Sequence, residues 1–195
     1  MAESVKSGNF TFIPTSIEGV VLVDCTSYGD QRGSFMETYK RSDFVAGGID
    51  TTFVQDNQSM STKGVLRGLH FQINHPQAKL VRVISGEVFD VCVDLRPGSP
   101  TLGAWEGALL TGENHRQLYI PHGFAHGFFV LSDTATFAYK CDDEYHPNDE
   151  GGLMWDDPEI GIDWPIPEGI TPVLSDKDRR HPTFAVWCEA NGVER

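Results

Sequence analysis

The chain has 195 residues, of which 39% are hydrophobic and 11% aromatic. This composition suits one sizeable folded domain and is too apolar for a disordered chain. The formal net charge of −13 argues against a nucleic-acid binder, because such proteins carry a basic face. No apolar run approaches the ~18 residues of a membrane helix, and residues 1–8 lack the apolar core of a signal peptide. We therefore expect a cytoplasmic protein with no nucleic-acid or membrane partner.

The four cysteines, Cys25, Cys92, Cys141 and Cys188, are far apart and form no Cys-x-x-Cys pair. This spacing argues against a zinc ribbon or a redox pair. A disulfide framework is untypical of a long chain in a reducing compartment. We interpret all four as buried or half-buried thiols.

The first quarter of the chain predicts an arm, a turn and one helix. Residues 9–14 and 18–26 have the composition of strands, and the first lies in an N-terminal arm over residues 1–16. A turn at Asp30 opens an extended segment in which Phe35, Glu37 and Tyr39 share one face. Residues 42–48 predict a helix of about two turns, with Ser42 as its N-cap and two glycines at its end.

The rest of the chain predicts an all-β domain. Strands are expected at residues 53–59, 65–72, 78–85, 87–95, 105–111, 116–121, 126–131 and 134–141, most of them separated by turn residues. Many short strands at regular spacing are typical of a sandwich or barrel. Residues 142–195 are rich in Pro, Gly and Asp, and we expect an irregular cover held on the barrel by Trp155, Trp164 and Trp187. The sequence shows no repeat or linker, so residues 1–195 form a single predicted domain.

Two of these strands carry histidines in apolar surroundings. Alternation puts His70 on the face of Leu66, Gly68 and Gln72, whereas His126 shares a face with Phe128 and Val130.

Two further strands place an ionisable side chain among apolar ones. Lys79 alternates with Val81 and Val83, and Tyr139 alternates with Phe137 and Cys141. If all four faces point inward, His70, Lys79, His126 and Tyr139 meet in one cavity. Burial of such groups is costly unless they are paired or functional. The plainer alternatives are a lysine that protects a sheet edge and satisfied core residues at Tyr139 and His126.

A barrel with histidines on its strands also raises the possibility of a bound metal, as in a cupin oxygenase. Such a site needs a His-x-His pair, a carboxylate a few residues on and a later histidine. Pro121-x-Gly123-x-x-His126 supplies the later histidine. His70 has no second histidine beside it, and Gln77 and Lys79 stand about where the carboxylate belongs. The donor set is poor for a metal, so we expect none; a metal-dependent cupin oxygenase remains the alternative from a different class.

The chain resembles one family over residues 10–182. The matching stretches are Asp30-x-Arg32-Gly33-x-Phe35-x-Glu37, Gln55-Asp56-Asn57-x-Ser59, Leu66-Arg67-Gly68-Leu69-His70-Phe71-Gln72, Gln77-x-Lys79-Leu80-Val81, Ile120-Pro121-x-Gly123-Phe124-Ala125-His126-Gly127-Phe128, Tyr139-Lys140-Cys141, Trp155-x-Asp157-Pro158, Ile162-Asp163-Trp164-Pro165 and Leu174-Ser175-Asp176-Lys177-Asp178. Together they resemble the dTDP-4-dehydrorhamnose 3,5-epimerases, which are cofactor-free enzymes of deoxysugar nucleotide synthesis. One departure is Asp142, where threonine is expected.

The resemblance implies a cupin-type jelly roll, that is, a β-sandwich barrel with a few short helices. It also implies epimerisation at C3 and C5 of dTDP-4-dehydro-6-deoxy-D-glucose through an enolate, on the way to dTDP-L-rhamnose. By this resemblance His70 is expected to act as the base, oriented by Asp178. Tyr139 is the acid on the opposite face, and Lys79 stabilises the enolate. No cofactor is expected, and the sequence contains no Gly-rich dinucleotide fingerprint.

The same resemblance implies the substrate contacts and the assembly. Arginines suit a pyrophosphate because their planar fork matches its oxygens; the other implied contacts go to the pyrimidine and the sugars. The expected substrate-binding residues are Arg32, Phe35, Glu37, Gln55, Asn57, Arg67, Gln72, Arg116, His126 and Glu150. For Arg32, Glu37 and Asn57 the alternative is an ordinary turn and surface pair. The family is a homodimer that exchanges its N-terminal strand, with which the apolar arm at residues 10–13 is compatible.

Two functional alternatives keep the fold. One is a related enzyme that epimerises only C5 or only C3, or that isomerises the ketone. The other is a sugar- or nucleotide-binding barrel without catalysis, against which the joint presence of His70, Lys79, Tyr139 and Asp178 argues.

Overall fold

Two antiparallel sheets stacked face to face make up the protein, of which a computed structural model describes residues 3–194. The seven-stranded sheet has the order β1-β2-β3-β11-β8-β13-β6, with strands β1 Val5–Ser7, β2 Phe10–Pro14, β3 Val21–Cys25, β11 Arg116–Ile120, β8 Lys79–Ser85, β13 Thr134–Cys141 and β6 Gln55–Thr62. The five-stranded sheet has the order β10-β9-β12-β7-β14, with strands β10 Trp105–Thr111, β9 Glu87–Asp94, β12 Phe124–Val130, β7 Leu66–Gln72 and β14 Glu150–Gly152. The predicted all-β jelly-roll fold is confirmed.

The core lies between the two sheets, because alternate residues of each strand point inward. Val83 and Phe137 of the seven-stranded sheet and Val88 and Phe128 of the five-stranded sheet belong to this one buried cluster. All seven residues of β12 are buried. Both faces of this strand are covered, since the five-stranded sheet has a second layer on its outer face.

That second layer is the C-terminal segment, which is more regular than predicted. A helix, α2 (Phe184–Asn191), is capped by the side chain of Thr183 and ends at Gly192 in the left-handed conformation. Trp164, Phe184 and Cys188 pack against the outer face of the sheet, and Trp155 and Trp187 border the same cluster. The three tryptophans therefore hold the cover as expected, but the expectation of a wholly irregular cover is wrong over residues 184–191. This helix is two turns long, too short for its apolar spacing to stand out beside the Pro- and Gly-rich residues before it.

The helix predicted at 42–48 is present as α1 (Arg41–Ala46), which begins one residue earlier and ends two residues earlier than expected. Its N-cap is Lys40, which makes no side-chain capping bond, so the prediction of a Ser42 cap is wrong. Phe44 anchors the helix to Phe10 and Phe12 of β2. Tertiary packing, rather than a cap, thus fixes where this helix begins.

The N-terminal arm pairs within its own chain, where β2 lies beside β3 with Phe12 opposite Val23. The first two residues of the predicted arm lie outside the described range. The turn expected at Asp30 joins a separate two-stranded hairpin, β4 (Ser27–Asp30) and β5 (Gly33–Met36). Among residues 3–194 there is no helix that is long and apolar enough to cross a membrane.

Candidate active site

A cavity of about 450 Å³ opens between the sheets and collects most of the predicted site. Predicted residues that line it are His70, Tyr139, Lys79, Asp178, Asn57, Arg67, Gln72, His126 and Glu150. They come from both sheets and from the C-terminal segment. The prediction that inward-facing polar residues of different strands meet in one cavity is thus confirmed for all four ionisable groups.

Strand β7 departs from strict alternation, and this departure shapes the cavity. Alternation would put Arg67 and His70 on opposite faces, but both line the cavity. The reason lies at Gly68, which has a φ of 121° and touches Gly127 of β12. A Cβ on Gly68 would stand 2.5 Å from the Gly127 Cα. Two glycines allow this close approach, and the register between β7 and β12 shifts there.

His70 is held by a buried carboxylate. Its Nε2 lies 2.5 Å from Asp178 Oδ1, so Nε2 carries the proton when Asp178 is ionised. The Ser175 hydroxyl donates to Asp178 Oδ2 at 2.8 Å. Burial alone would raise the pKa of Asp178, but the contacts with His181 and His70 and the bond from Ser175 outweigh it and hold this pKa far below its usual value. Asp178 thus remains an anion that orients the His70 ring.

Tyr139 and Lys79 enter the cavity from the opposite sheet. Tyr139 lies on β13 and Lys79 on the neighbouring β8, where Lys79 is opposite Cys141. Burial raises the pKa of Tyr139 above its ordinary value, so this hydroxyl keeps its proton at neutral pH. Burial lowers the pKa of Lys79, partly offset by Cys141 and Asp142. A proton donor and a desolvated ammonium therefore face His70 across the cavity.

His126 is both a paired core histidine and a cavity residue. Its Nε2 lies 2.8 Å from Asp90 Oδ1, and its ring stacks on Phe137. Burial raises the pKa of Asp90, although His126 acts in the opposite direction. His126 is therefore a core histidine whose hydrogen bonding is satisfied, as the alternative interpretation held. Its ring also forms part of the cavity wall.

Two predicted contact residues, Gln72 and Gln55, use their amides to hold loops. The Gln72 Nε2 donates to the carbonyls of His75 and Glu144 at 2.7 and 3.3 Å, and its Oε1 accepts from the His146 backbone N–H. Gln55 does not line the cavity; its side chain bonds Asn57 and the Tyr145 backbone at the rim. Both residues shape the entrance of the cavity by fixing the chain around it.

Besides Gln55, four predicted residues lie outside the cavity of their own chain. Arg32 and Phe35 belong to the β4–β5 hairpin, with exposed fractions of 84% for the Arg32 side chain and 68% for Phe35. Glu37, just after the hairpin, accepts from the Asn9 amide. Arg116 pairs with Asp24 through two bonds of 2.7 and 3.1 Å. A single chain therefore does not bring these residues to His70.

Several cavity residues were missed by the sequence reasoning. Tyr145 and Lys177 line the cavity at its rim, and Lys177 forms an ion pair with Glu150. Both lie in stretches without alternation, where the sequence carries no signal of which way a side chain points. Ser175 was visible as a Ser-x-x-Asp spacing, which favours the local hydroxyl-to-carboxylate bond found here.

Two groups of side chains among residues 3–194 have the composition of metal ligands. They are His70, Asp178 and His181, and His75, Asp143 and His146, with the ligand atoms of each group within 4.8 Å of one another. In the first group the imidazole and carboxylate are bonded to each other. In the second, His75 and His146 stack at 3.9 Å with nearly parallel rings, whereas a shared metal would lie in both ring planes. Neither arrangement calls for a cation to explain it.

A second cavity of about 760 Å³ lies on the other side of the cavity wall, against α2. Phe71, Gln72, Lys79 and Glu150 belong to the walls of both cavities. His181 lines only this second cavity, together with apolar residues such as Trp187. The two spaces are thus separated by little more than a layer of side chains.

Comparisons of the chain with known proteins point to one family. The sequence model of the dTDP-4-dehydrorhamnose 3,5-epimerases matches residues 14–186. The chain is 54% identical to the dTDP-4-dehydrorhamnose 3,5-epimerase of Methanothermobacter thermautotrophicus over 87% of this chain and 92% of that one.

Two solved structures show the same fold. One is the dTDP-6-deoxy-D-glucose-3,5-epimerase of Legionella pneumophila in complex with dTDP-4-keto-L-rhamnose (48% identity, TM-score 0.89, 95% of this chain and 98% of that one). The other is ChmJ, a 3'-monoepimerase from Streptomyces bikiniensis in complex with dTDP-quinovose (37% identity, TM-score 0.84, 92% and 90%). With the model match over most of its length, the chain belongs to the dTDP-4-dehydrorhamnose 3,5-epimerase family.

Proposed function

We propose that the protein epimerises C3 and C5 of dTDP-4-dehydro-6-deoxy-D-glucose, giving dTDP-4-dehydro-L-rhamnose. One observation carries this proposal. The His70–Asp178 pair lies on the side of the cavity formed by the five-stranded sheet, and Tyr139 lies on the side formed by the seven-stranded sheet. Inversion at a carbon requires removal of a proton from one face and delivery of another to the opposite face. The cavity has a group for each task.

The chemistry follows from the acidity of hydrogens beside a ketone. His70 takes the proton at Nδ1, the ring nitrogen left free by the bond from Nε2 to Asp178. The electron pair moves to the ketone oxygen, where the Lys79 ammonium stabilises the enolate. Tyr139 then protonates the carbon from the other sheet. The reaction transfers only protons and involves no hydride. His70, Lys79 and Tyr139 therefore supply the base, the cation and the acid that it needs.

We further propose that the active form is a homodimer in which a second copy supplies Arg32 and Phe35; β1 and β2 pair within their own chain, so the proposal rests on the hairpin and not on the N-terminal strands. Support comes from the hairpin that carries them, which is exposed and lies outside the cavity of its own chain. An aromatic ring with an exposed fraction of 68% suits stacking on a pyrimidine. A cytoplasmic location belongs to this proposal, because Cys25, Cys92 and Cys141 form no disulfide, as is typical of proteins in reducing compartments.

The activity is tested by proton NMR of dTDP-4-keto-6-deoxyglucose in deuterated water, with no added metal or cofactor. We expect deuterium to enter at both C3 and C5 with inversion. Exchange at one carbon alone would replace the proposal by a single-site epimerase, which the fold shared with ChmJ makes the second candidate. Folded protein that exchanges neither hydrogen would overturn the enzymatic proposal.

The shared site is tested by mixing two inactive variants, His70→Asn and Phe35→Ala with Arg32→Ala. If a hairpin of one copy completes the cavity of the other, mixed dimers contain one intact site and activity returns on subunit exchange. If each chain completes its own site, every site in the mixture carries a lesion and no activity returns.

A further inference from the structure

Asp142 is the position at which the sequence departs from the family resemblance, and it stands at the end of the strand beside Lys79. In the ladder between β8 and β13, Lys79 is opposite Cys141, so Asp142 comes next, opposite Ala78. The Asp142 side chain has an exposed fraction of only 16%. A carboxylate with so little access to water needs partners, and these partners show what it does there.

The two carboxylate oxygens of Asp142 hold two separate segments. Oδ1 accepts the backbone N–H of Ala78 at 2.7 Å, and the Asp142 N–H donates to the Ala78 carbonyl at 3.3 Å. Oδ2 lies 2.7 Å from Nε2 of His122, in the turn before β12. The two bonds to Ala78 fix the residue immediately before Lys79. Asp142 therefore sets the point from which the Lys79 side chain enters the cavity.

Asp142 also acts on the charge of Lys79. Burial lowers the pKa of the Lys79 ammonium, whereas Cys141 and Asp142 act in the opposite direction. Burial raises the pKa of the Cys141 thiol to about 11, so this thiol is neutral at pH 7 and contributes no negative charge. Within residues 3–194 the ammonium has no ion-pair partner of its own. The negative charge that offsets burial therefore comes from Asp142.

The other ionisable groups that face Lys79 do not supply this charge. Two are carboxylates, and each is paired, Asp178 with His70 and Glu150 with Lys177. The rest of the groups that share a cavity with Lys79 are cations, histidines or tyrosines, namely Arg67, Arg96, His122, His126, Tyr139, Tyr145 and His181. Asp142 has His122 as its partner, but the His122 side chain is half-exposed. Water therefore screens any charge on that imidazole more than it screens the carboxylate.

We propose that Asp142 is the positioning residue of Lys79: it fixes the strand end that carries the lysine and supplies the negative charge that keeps the ammonium protonated inside the cavity. This inference rests on the proposed function, in which the ammonium stabilises the enolate. A neutral amine lacks the charge that lowers the energy of the developing oxyanion. Asp142 lines neither cavity and acts only through Lys79.

The first test reads Lys79 directly and needs no substrate. In protein labelled with ¹³C at the lysine ε carbons, the Lys79 signal is identified by its loss in Lys79→Met, and its titration midpoint is measured. Asp142→Asn removes the charge but keeps an oxygen for the Ala78 N–H, so we expect the midpoint to move to lower pH. Asp142→Thr, which loses the charge with a different side chain, should move it in the same direction.

The matched control is Asp143→Asn, which makes the same change of charge one residue further on, at a half-exposed side chain beside His75. We expect the Lys79 midpoint to stay in place in this variant. A midpoint that does not move when Asp142 loses its charge, or that moves equally in Asp143→Asn, would overturn the proposal.

The second test asks whether the effect on turnover passes through Lys79. Because fewer molecules hold the ammonium at alkaline pH, kcat of Asp142→Asn should fall by about threefold to tenfold on the alkaline limb and less at lower pH. In Lys79→Met there is no ammonium to keep charged, so the added Asp142→Asn change should have little effect on kcat. Equal slowing in both backgrounds would assign Asp142 a purely structural role and overturn the proposal. Absence of epimerisation in the unaltered protein would instead overturn the proposed function, while the NMR midpoint would still decide whether Asp142 keeps Lys79 charged.

Discussion

His70 and Tyr139 face one cavity from two different sheets, His70 from β7 and Tyr139 from β13. A substrate between the sheets therefore presents one face to the imidazole and the other to the phenol. This relationship makes the two residues non-equivalent, and their variants should fail in different ways.

Removal of the base should stop all exchange. His70→Asn keeps a polar side chain of modest size but cannot accept the carbon-bound proton. We expect turnover and deuterium uptake at C3 and C5 to fall by about 10²–10⁴-fold, measured by NMR on a variant whose circular dichroism is unchanged. His75→Asn, at an exposed histidine of the same strand–loop region, should retain the activity. Near-normal exchange in His70→Asn would assign the base elsewhere.

Removal of the acid should separate exchange from inversion. In Tyr139→Phe the base still forms the enolate, and the same imidazole can return a solvent deuteron to the original face. We expect deuterated substrate of unchanged configuration, with epimerised product reduced by about 10²-fold or more. Tyr119→Phe is the matched control, because the Tyr119 hydroxyl bonds Thr51 away from the cavity. Parallel loss of exchange and inversion in Tyr139→Phe would contradict this division of roles.

Removal of the ammonium should slow enolate formation more than binding. Lys79→Met preserves much of the buried stem but removes the charge beside the ketone oxygen. We expect kcat to fall by about 10²-fold or more with a smaller change in KM, because the interaction strengthens as negative charge develops. Lys140→Met, which loses a surface pair with Asp56, serves as the control. A rise in KM alone would make Lys79 a simple binding residue.

The loss of stability at acid pH should depend on the carboxylate of Asp94, which lies outside the candidate active site. Burial alone would raise the pKa of Asp94, but bonds from Arg96, Ser99 and Thr101 lower it to about 2. A carboxyl with a lowered folded-state pKa stabilises the protein above its unfolded pKa of about 3.8, and this contribution disappears as the pH falls toward 2.

Between pH 6 and pH 2, the free energy of unfolding should therefore fall by about 2 kcal/mol less in Asp94→Asn than in the unaltered protein. Urea titrations at a series of pH values would measure it. Asp50→Asn, at a largely exposed side chain paired with Arg41, should leave the slope unchanged. An equal slope in the protein and in Asp94→Asn would show that Asp94 titrates alike in both states.

Most strands could be predicted from the sequence, because alternation and turn residues coincide in a sandwich with one polar cavity. The inward faces of Lys79, Tyr139 and His126 followed from the same rule. Alternation failed at Arg67, since the contact between Gly68 and Gly127 depends on a strand that is distant in sequence. The helix at Phe184–Asn191 was missed because burial against the sheet stabilises it more than its own pattern does.

The site was predictable only in part from the residues themselves. Motif resemblance supplied Asp178 and Arg32, which no alternation could have placed. It did not reveal that Arg32 lies outside the cavity of its own chain, since the motif carries no information on where the β4–β5 hairpin lies relative to the two sheets. His181 carried no signal in the sequence, because only the empty space above Gly152 brings its ring to Asp178.

The Gln72 side chain holds the loops at the cavity entrance through their main chain and not through their side chains. Its three bonds all go to main-chain atoms, those of His75, Glu144 and His146. Any residue other than proline at position 146, and any residue at the other two positions, offers the same partners. The side chains at positions 75, 144 and 146 can therefore be exchanged to alter selectivity while the Gln72 amide keeps its bonds to the main chain. Gln72 itself is the position where such engineering should not begin.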